Sequence, residues 1–573
     1  MPDTAAHPFA AAAMIFFASS ACAITIIQSG TTEQVLSSDT HYVLPADGSV
    51  QTSADNAILV SGIAPVAVDS AGKVVSSTDN VAAGYRFEVP CLLNQSASGS
   101  VLGTIYDVWM NDGGSGNDIV NRGDISPRVS HAIDYAGTTS STVDNFGTLN
   151  GGVAGPGGTT SEGVHMSSSG TLVINNHAGA SIVSGVGVIA EQGQLTVNND
   201  GVISGVHAGV EQIGTATTRL VNGTTGSVTG TQAPGVLVKL GSMVIVNDGL
   251  ISGTSAGIAG GSGANLVGTN GATGSIRASE GPGLLLFTGN TLVNNGVIAG
   301  VNGLAMLLRG DNSITLGTGS SLSSGFNTAI LSREAGNTIT LRGTGTEAGD
   351  FAVSIGAGFA TLTSTVGSVW TLSGAVTIGG ASAASLDVTG DLTLGGLLMQ
   401  AGGGTTIEAG GQLTLGAGGA SSMVSGDIQN NGTLRFNRSD EAIFTGALQQ
   451  NGSGSVALSA AGSSQGSVGV NAGALRLLQN GAFAVTGDFV TAPGAATLLG
   501  AQSQLIVGNR FTMNGTLNQI LSAIPKHRSS RRPQRLVRTR ISISRAITRP
   551  PSRARHNSPT ASSRRFTRPR PAG

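Results

Sequence analysis

The feature that most constrains this chain is a short phrase that recurs about every 22–25 residues. Each copy has an asparagine, a glycine soon after it, and then a small, an apolar and another small residue, often followed by glycine. The clearest copies are NRGDIS at 121–126, NFGTL at 145–149, NDGVISG at 199–205, NDGLISG at 247–253 and NNGVIAG at 294–300. Repeats of this length are typical of a solenoid, in which each unit buries its apolar face only against its neighbours. The sequence therefore predicts a rod of stacked turns.

One unit, residues 209–230, shows what a single turn is expected to contain. Residues 210–213, 219–221 and 227–229 are short apolar-rich runs, and Gly, Asn and Thr separate them. Runs this short between turn residues are typical of strands, and glycine is too frequent here for helix interiors. Three strands per turn predict an all-β fold, a right-handed parallel β-helix (a solenoid of about 22–25 residues per coil).

The corners of the turns carry two further expectations. Glycine suits a corner because it adopts positive φ without strain. Stacked asparagines at one corner are expected to hydrogen-bond up and down the rod. Roughly 16 coils between residues 115 and 520, about 4.8 Å apart, would span on the order of 80 Å.

Charge is divided unevenly along the chain. Residues 526–573 hold 15 of the 29 Lys and Arg residues and no acidic residue, whereas residues 1–525 have a net charge of −17. Charge split in this way is read segment by segment. The acidic body argues against nucleic acid as its partner, and the Arg/Pro/Ser-rich end predicts a disordered basic tail.

The first residues are predicted to be an export signal, removed after residue 23. Residues 9–18 form an apolar stretch too short to span a bilayer, and Ala21-Cys22-Ala23 is a small-x-small cleavage site. The absence of Lys or Arg before the apolar stretch is atypical of such signals. Cys91 would then be the one cysteine left in the body, and we expect a buried small hydrophobe rather than a reactive thiol.

Within the repeats, one segment resembles a known family. Residues 430–440 (NNGTLRFNRSD), followed by FTG at 444–446 and GSGSV at 452–456, resemble the passenger-associated transport repeat of Gram-negative autotransporters. Residues 471–477 (NAGALRL) resemble its closing strand, although the Lys-x-Gly-x-Gly-x-Leu segment between them is degenerate. The resemblance covers about 115–520 and implies a β-helical passenger of type V secretion, in which 430–477 would nucleate folding coil by coil.

An autotransporter would continue into a membrane β-barrel with alternating, aromatic-flanked strands. After Pro525 this sequence instead changes abruptly to the basic tail, which has three interpretations. The tail is a basic arm for anionic surfaces, a solvated end without a role, or the product of a frameshift, which the abruptness favours. The resulting division is a signal peptide at 1–23, an N-terminal cap or small β unit at 24–114, β-helix repeats at 115–525 and the tail at 526–573.

Two short motifs suggest ligands but are better explained by the repeat. Residues 113–121 match one nonapeptide of calcium-binding β-rolls, with Asp118 as the carboxylate. Such sites are shared between successive turns, and only one copy is present, so we expect a turn and no metal site. Arg122-Gly123-Asp124 is an integrin-type tripeptide, yet it occupies the ordinary repeat positions.

Catalysis is not expected. β-Helical polysaccharide-degrading enzymes need convergent carboxylates and aromatic platforms, whereas aromatic residues are 4% of this chain. Trp109 and Trp370 stand alone in the sequence, and the histidines are scattered. Asp440 and Glu441 form an acidic couplet, but neighbours on a strand point to opposite faces, and a solvated turn is their expected place.

The sequence thus predicts a non-catalytic, exported, adhesin-like passenger at the surface of a Gram-negative bacterium or secreted by it. No catalytic, cofactor-binding or metal-binding residue is assigned. The expected partners are proteins or glycans on host or neighbouring-cell surfaces, and an outer-membrane translocator barrel supplied from elsewhere. The alternatives are a β-helical polysaccharide-degrading enzyme, which a row of Asp, Arg and Tyr on one face would favour, and a non-functional gene fragment.

Overall fold

A computed structural model describes residues 24–520, apart from short gaps. The gaps are 38–40, 54, 63–64, 78–82, 112–115, 153–160, 354–358, 380–383, 397, 401–402, 419–422, 425, 460 and 479. The predicted signal peptide and the basic tail both lie outside the described residues.

The described chain is an all-β parallel β-solenoid of about 19 turns, with no helix in it. This confirms the predicted fold class. The three strands predicted for the unit at 209–230 correspond to Val202–Gln212, Thr217–Asn222 and Ser227–Gly230, the first ending one residue earlier than predicted. With about 4.8 Å between turns, the rod is on the order of 90 Å long.

Three stacks of parallel strands, which we call sheets, run along the rod. Hydrogen-bonded pairing breaks between Ser321–Ser324 and Thr344–Glu347 in the second sheet, and between Leu398–Gln400 and Met423–Val424 in the third. The ladder sheet contains Ile24–Ile26, His41–Leu44, Val66–Ser70, Cys91–Gln95, Asp118–Asn121, Ser140–Asn145, Thr171–Asn176, Gln194–Asn199, Thr217–Asn222, Thr291–Asn294, Ser313–Leu316, Thr338–Leu341, Thr361–Ser364, Ser385–Val388, Gly404–Ile407, Asp427–Asn430, Leu448–Gln450, Val468–Val470, Phe489–Thr491 and Phe511–Met513.

The second sheet contains Ser49–Thr52, Lys73–Ser76, Ser100–Leu102, Asp124–Ile125, Thr148–Asn150, Ser227–Gly230, Leu250–Gly253, Ser275–Ala278, Val297–Gly300, Ser321–Ser324, Thr344–Glu347, Val369–Leu372, Asp391–Leu394, Gln412–Leu415, Thr433–Phe436, Ser455–Leu458, Ala474–Leu477, Ala496–Leu499 and Thr516–Gln519.

The third sheet contains Gln34–Leu36, Ile58–Val60, Ala83–Phe87, Tyr106–Met110, His131–Tyr135, Glu162–Met166, Leu284–Leu286, Met306–Leu308, Thr328–Ser332, Asp350–Val353, Val376–Ile378, Leu398–Gln400, Met423–Val424, Ala442–Phe444, Gly462–Ser464, Ala482–Val485 and Gln504–Val507. Four long strands bend between sheets. Ser181–Ala190 and Val202–Gln212 join the second sheet to the third, and Val236–Asn247 and Ile258–Asn270 join the third to the ladder sheet.

The boundary expected near residue 114 has no counterpart in the strand pairing. Cys91–Gln95 pairs in register with Asp118–Asn121, and Tyr106–Met110 pairs with His131–Tyr135. Pairing continues back to Ile24–Ile26, which pairs with His41–Leu44. The described part of 24–114 therefore forms the first turns of the same solenoid.

The interior is one continuous apolar cluster that extends from Ile27 to Val507. Alternate residues of each strand point into it, as the two-residue period of a strand requires. Trp370 is a core residue, and its indole Nε1 donates to the Arg342 carbonyl at 3.0 Å. Cys91 is buried and unpaired with any cysteine, which confirms the prediction of a buried small hydrophobe.

A ladder of buried asparagines joins eight successive turns and confirms the expected stacking. Each side chain donates its Nδ2 to the Oδ1 of the next asparagine at 2.7–2.9 Å. Its members are Asn121, Asn145, Asn176, Asn199, Asn222, Asn247, Asn270 and Asn294. The ladder ends where Leu316 takes the next register position, and Asn294 donates to the Ser320 hydroxyl instead.

The expected positive φ is found at 16 glycines of the described chain, Gly179 and Gly193 among them, but not at the glycines of the repeated phrase. Gly201, Gly249 and Gly296 are not among the positive-φ glycines. They are required because a methyl group on Gly249 would overlap the carbonyl oxygens of Gly223 and Gly226 on the preceding turn. Close approach of backbones at the ladder corner, and not a left-handed conformation, selects glycine in the repeated phrase.

Candidate binding site

The third sheet carries an outward-facing row of functional side chains over its early turns. Ile133 and Tyr135 are core residues, so Asp134 between them points to the outer face. Strand register places Trp109 and His165 directly beside Asp134 on the neighbouring turns, and Arg86 beside Trp109. One column therefore contains a cation, an indole, a carboxylate and an imidazole.

A second column lies next to the first, where the strands of the third sheet begin. Tyr106 and His131 are register partners, and Glu162 opens the strand of the following turn. We call the two columns, together with Glu191 beside His165, the outer cluster. It consists of Arg86, Tyr106, Trp109, His131, Asp134, Glu162, His165 and Glu191.

The carboxylates of the outer cluster are buried although they point outward. Asp134 is 6% exposed and Glu162 is 5% exposed, although neither belongs to the core. On the next two turns, Val186, Ile189 and Ala208 form a small apolar cluster on the same outer side, with Ile213 and Leu237 against it. The long strands of these turns bend from the second sheet into the third, with a bulge between Ser184 and Val186. The buried carboxylates therefore lie next to an apolar patch of the outer face.

Aromatic contacts form one half of the outer cluster. The Tyr106 and Trp109 ring centroids are 5.5 Å apart, and the Arg86 guanidinium carbon lies 4.5 Å from the Trp109 ring centroid. Tyr106 also stacks on His131, with centroids 5.4 Å apart. Burial, together with the charges of Asp134 and Glu162, raises the pKa of Tyr106, so its phenol remains a hydrogen-bond donor.

Imidazole–carboxylate pairs form the other half. His131 pairs through Nδ1 with Glu162, and His165 Nδ1 lies 2.8 Å from Asp134 Oδ1. His165 Nε2 also lies 3.5 Å from Glu191 Oε1, and the two histidine rings are 4.7 Å apart. Burial alone would lower the pKa of His165, but the hydrogen bond and charge of Asp134, aided by Glu162 and Glu191, outweigh it and raise the pKa.

These findings correct the interpretation that Trp109 stands alone and that the histidines are scattered. Trp109, His131 and His165 meet in one place because successive turns stack in register. A signal was present in the sequence: His131 and Asp134 are three residues apart, and Glu162 and His165 repeat that spacing in the opposite order. Trp370, by contrast, contributes to the core.

The other motifs remain ordinary parts of the solenoid. Gly113, Gly114 and Ser115 of the nonapeptide lie outside the described residues, while the Asp118 carboxylate accepts from the Thr142 amide at 3.1 Å. Within the described ranges, no group of three or more His, Cys, Asp or Glu side chains is placed to hold a metal ion.

The integrin-type tripeptide and the acidic couplet have local partners. The Arg122 guanidinium lies 5.0 Å from the Phe146 ring centroid, and Asp124 accepts from the Ser126 hydroxyl. Asp440 accepts from Arg438 at 2.6 and 2.9 Å. Asp440 and Glu441 lie outside the strands, as expected of a turn.

No protein-family model matches this chain, and no curated protein matches it. The parallel β-solenoid is consistent with a β-helical passenger, and the autotransporter identity stays a prediction. No helix in the described portion is both long and apolar enough to cross a membrane.

Proposed function

We propose that this chain is a non-catalytic, exported surface rod of the autotransporter-passenger type, with an adhesin-like function. The observation that carries the proposal is the uninterrupted solenoid of about 19 turns. A stiff rod presents the same outward chemistry many times, so that weak contacts add through multiplicity rather than through one deep pocket. The organism would be Gram-negative and the rod surface-bound or secreted, as the resemblance at 430–477 implies.

Short polar side chains line much of the outer surface and support this proposal. In the second sheet, Thr346, Thr371, Thr393 and Thr414 are register partners in successive turns. In the ladder sheet, Thr315, Thr340 and Thr363 stack in the same way. Such rows offer regularly spaced hydroxyl groups to protein or glycan surfaces without a concave catalytic pocket.

Polysaccharide degradation is a second candidate, and the outer cluster favours it. Asp134 and Glu162 come from adjacent turns, and paired carboxylates are the usual groups of glycoside hydrolysis. Both carboxylates, however, are more than nine-tenths buried and each is paired with an imidazole. A substrate would have to displace those imidazoles, which supports binding over catalysis.

Beads coated with the full chain at graded densities test the proposal. An adhesin-like rod gives attachment to bacterial or host cells that rises steeply with coating density, because multiplicity supplies the strength. Heat-denatured chain is the control. Release of reducing ends from polysaccharides, abolished by Asp134→Asn or Glu162→Gln, would instead establish the enzyme; absence of attachment at every density would refute the adhesin.

A further inference from the structure

We propose that the outer cluster binds an uncharged pyranose chain, that is, a neutral polysaccharide in preference to an acidic one. This inference rests on the proposed function, because it names the class of ligand that the rod would contact. It assigns the contact to the outer cluster, on the third-sheet strands Ala83–Phe87, Tyr106–Met110, His131–Tyr135, Glu162–Met166 and Ser181–Ala190.

Aromatic rings supply the first element of sugar recognition. Trp109 and Tyr106 pack together at 5.5 Å and both remain partly exposed. The C–H face of a pyranose ring is apolar and carries slight positive charge, so it packs on the negative face of an indole or phenol. The Arg86 guanidinium and the Glu88 carboxylate, 2.9 Å apart, form an ion pair beside the indole.

Polar groups at the rim supply the second element. The Glu191 side chain is 39% exposed and its carboxylate approaches His165, which is 18% exposed. Carboxylates accept hydrogen bonds, the Tyr106 phenol donates one, and a neutral imidazole donates through one ring nitrogen and accepts through the other. Donors and acceptors of both kinds beside an aromatic surface suit the neighbouring hydroxyls of a sugar, each of which donates and accepts.

Charge decides between neutral and acidic chains. The outer cluster together with Glu88 has four carboxylates and one guanidinium, giving a formal charge of −3 with neutral histidines and −1 with both protonated. A uronate or sulfated chain would place like charges against this surface, and such juxtaposition is strongly unfavourable. A neutral chain meets no such repulsion.

The outer cluster continues into a longer row, which suits a chain rather than a single sugar. Its outward row continues along the rod axis from His165 to Ile189, Glu211 and Leu237 through strand register. The Lys239 ammonium lies 2.5 Å from Glu211 and neutralises the acidic residue in this row. Successive turns about 4.8 Å apart present apolar and polar groups alternately to a polymer lying lengthwise.

The experiment measures binding of the full chain to neutral probes (cellohexaose, laminarin and mannan) and acidic probes (polygalacturonate and alginate). We expect at least one neutral probe to bind, with a change in Trp109 fluorescence, and Trp109→Ala to weaken that binding about tenfold or more. Phe287→Ala is the matched control, because Arg309 covers that ring at 4.6 Å in the same manner. The Phe287→Ala variant should bind the neutral probe as tightly as the unmodified chain does.

A second measurement needs no variant. The bound neutral probe should protect Trp109 of the unmodified chain from oxidation by N-bromosuccinimide, while buried Trp370 stays unreactive throughout. Preference for the acidic probes, binding to none of the probes, or equal losses in Trp109→Ala and Phe287→Ala would each overturn the inference. If density-dependent attachment to cells persists after one of these results, the adhesin-like function stands although the proposed ligand is wrong. If attachment also fails, both proposals fail.

Discussion

Replacing one member of the asparagine ladder should destabilise the rod far more than replacing its sequence neighbour. Asn199 is 1% exposed, accepts from Asn176 at 2.8 Å, and donates to Asn222 at 2.8 Å and to the Ser227 carbonyl at 3.3 Å. Asn198 points outward, and its side chain donates to Asn175 at 2.8 Å. Asn199→Ala and Asn198→Ala are therefore the same substitution at adjacent positions with opposite surroundings.

The magnitude follows from the bonds that each variant loses. A hydrogen bond contributes about 1 kcal/mol net, and a buried group left unpaired costs about 1–3 kcal/mol. Asn199→Ala removes three bonds and deprives the buried Asn222 Oδ1 of its asparagine donor, so we expect a loss of about 3–5 kcal/mol. Asn198→Ala removes one half-exposed bond and should cost at most about 1 kcal/mol.

Hydrogen exchange read by mass spectrometry is the appropriate assay, because a solenoid opens locally and a single unfolding free energy is poorly defined for it. Amides of Gln194–Asn199 and Thr217–Asn222 should exchange about 10²–10⁴ times faster in Asn199→Ala. Peptides from Ser385–Val388, many turns away, serve as the internal control. Equal exchange in the two variants would refute the argument that the ladder, rather than the backbone pairing, holds these turns together.

Three further predictions concern individual positions. Gly249→Ala should lower the urea midpoint more than Gly179→Ala, because a methyl group overlaps two carbonyls at Gly249, whereas at Gly179 it meets open space and only the positive φ is strained. Burial raises the pKa of Glu347 to about 8 from its ordinary 4.5, so Glu347→Gln should stabilise the turns around it against local opening, measured by hydrogen exchange, by about 3–5 kcal/mol at pH 9 and by almost nothing at pH 4. Burial also raises the pKa of the Cys91 thiol, so in a Cys22→Ser background a maleimide should label the native protein only after urea is added.

Each of these predictions has a result that contradicts it. Equal midpoints for the two glycine variants would show that the neighbouring turns move apart easily. For Glu347, the folded form holds its proton through the range in which the unfolded form loses it, so stability is complete below about pH 4.5 and falls as pH rises through about 8. A wild-type stability that rises over this range would contradict the burial of that carboxyl. Rapid native labelling would show that Cys91 is accessible.

The repeat phrase was sufficient to predict stacked asparagines, and positive φ occurs at many corner glycines as expected, but the reason for the glycines of the phrase itself was not apparent. An asparagine at one position of successive repeats can be aligned from sequence alone, whereas the approach of Gly249 to two carbonyls depends on where the next turn lies. The structural unity of 24–111 with the later turns was also not apparent, because those turns lack the phrase while their strands pair in the same register.

The outer cluster could not be predicted from spacing because the turns differ in length. Successive ladder asparagines are 24 residues apart at Asn121 and Asn145, 31 apart at Asn145 and Asn176, and 23 apart at Asn176 and Asn199. A fixed period therefore fails to align His131 with Glu162 or Asp134 with His165.

The sequence by itself determined that this chain is a parallel solenoid, since short apolar runs between Gly and Asn corners can bury their faces only by stacking on similar neighbours. Tertiary structure alone decided which side chains of different turns meet. Extra residues in a corner change the sequence distance between two strands, but the strands still pair in the same register in the sheet. For that reason the rod was predictable, and the outer cluster with Trp109, His131 and His165 was not.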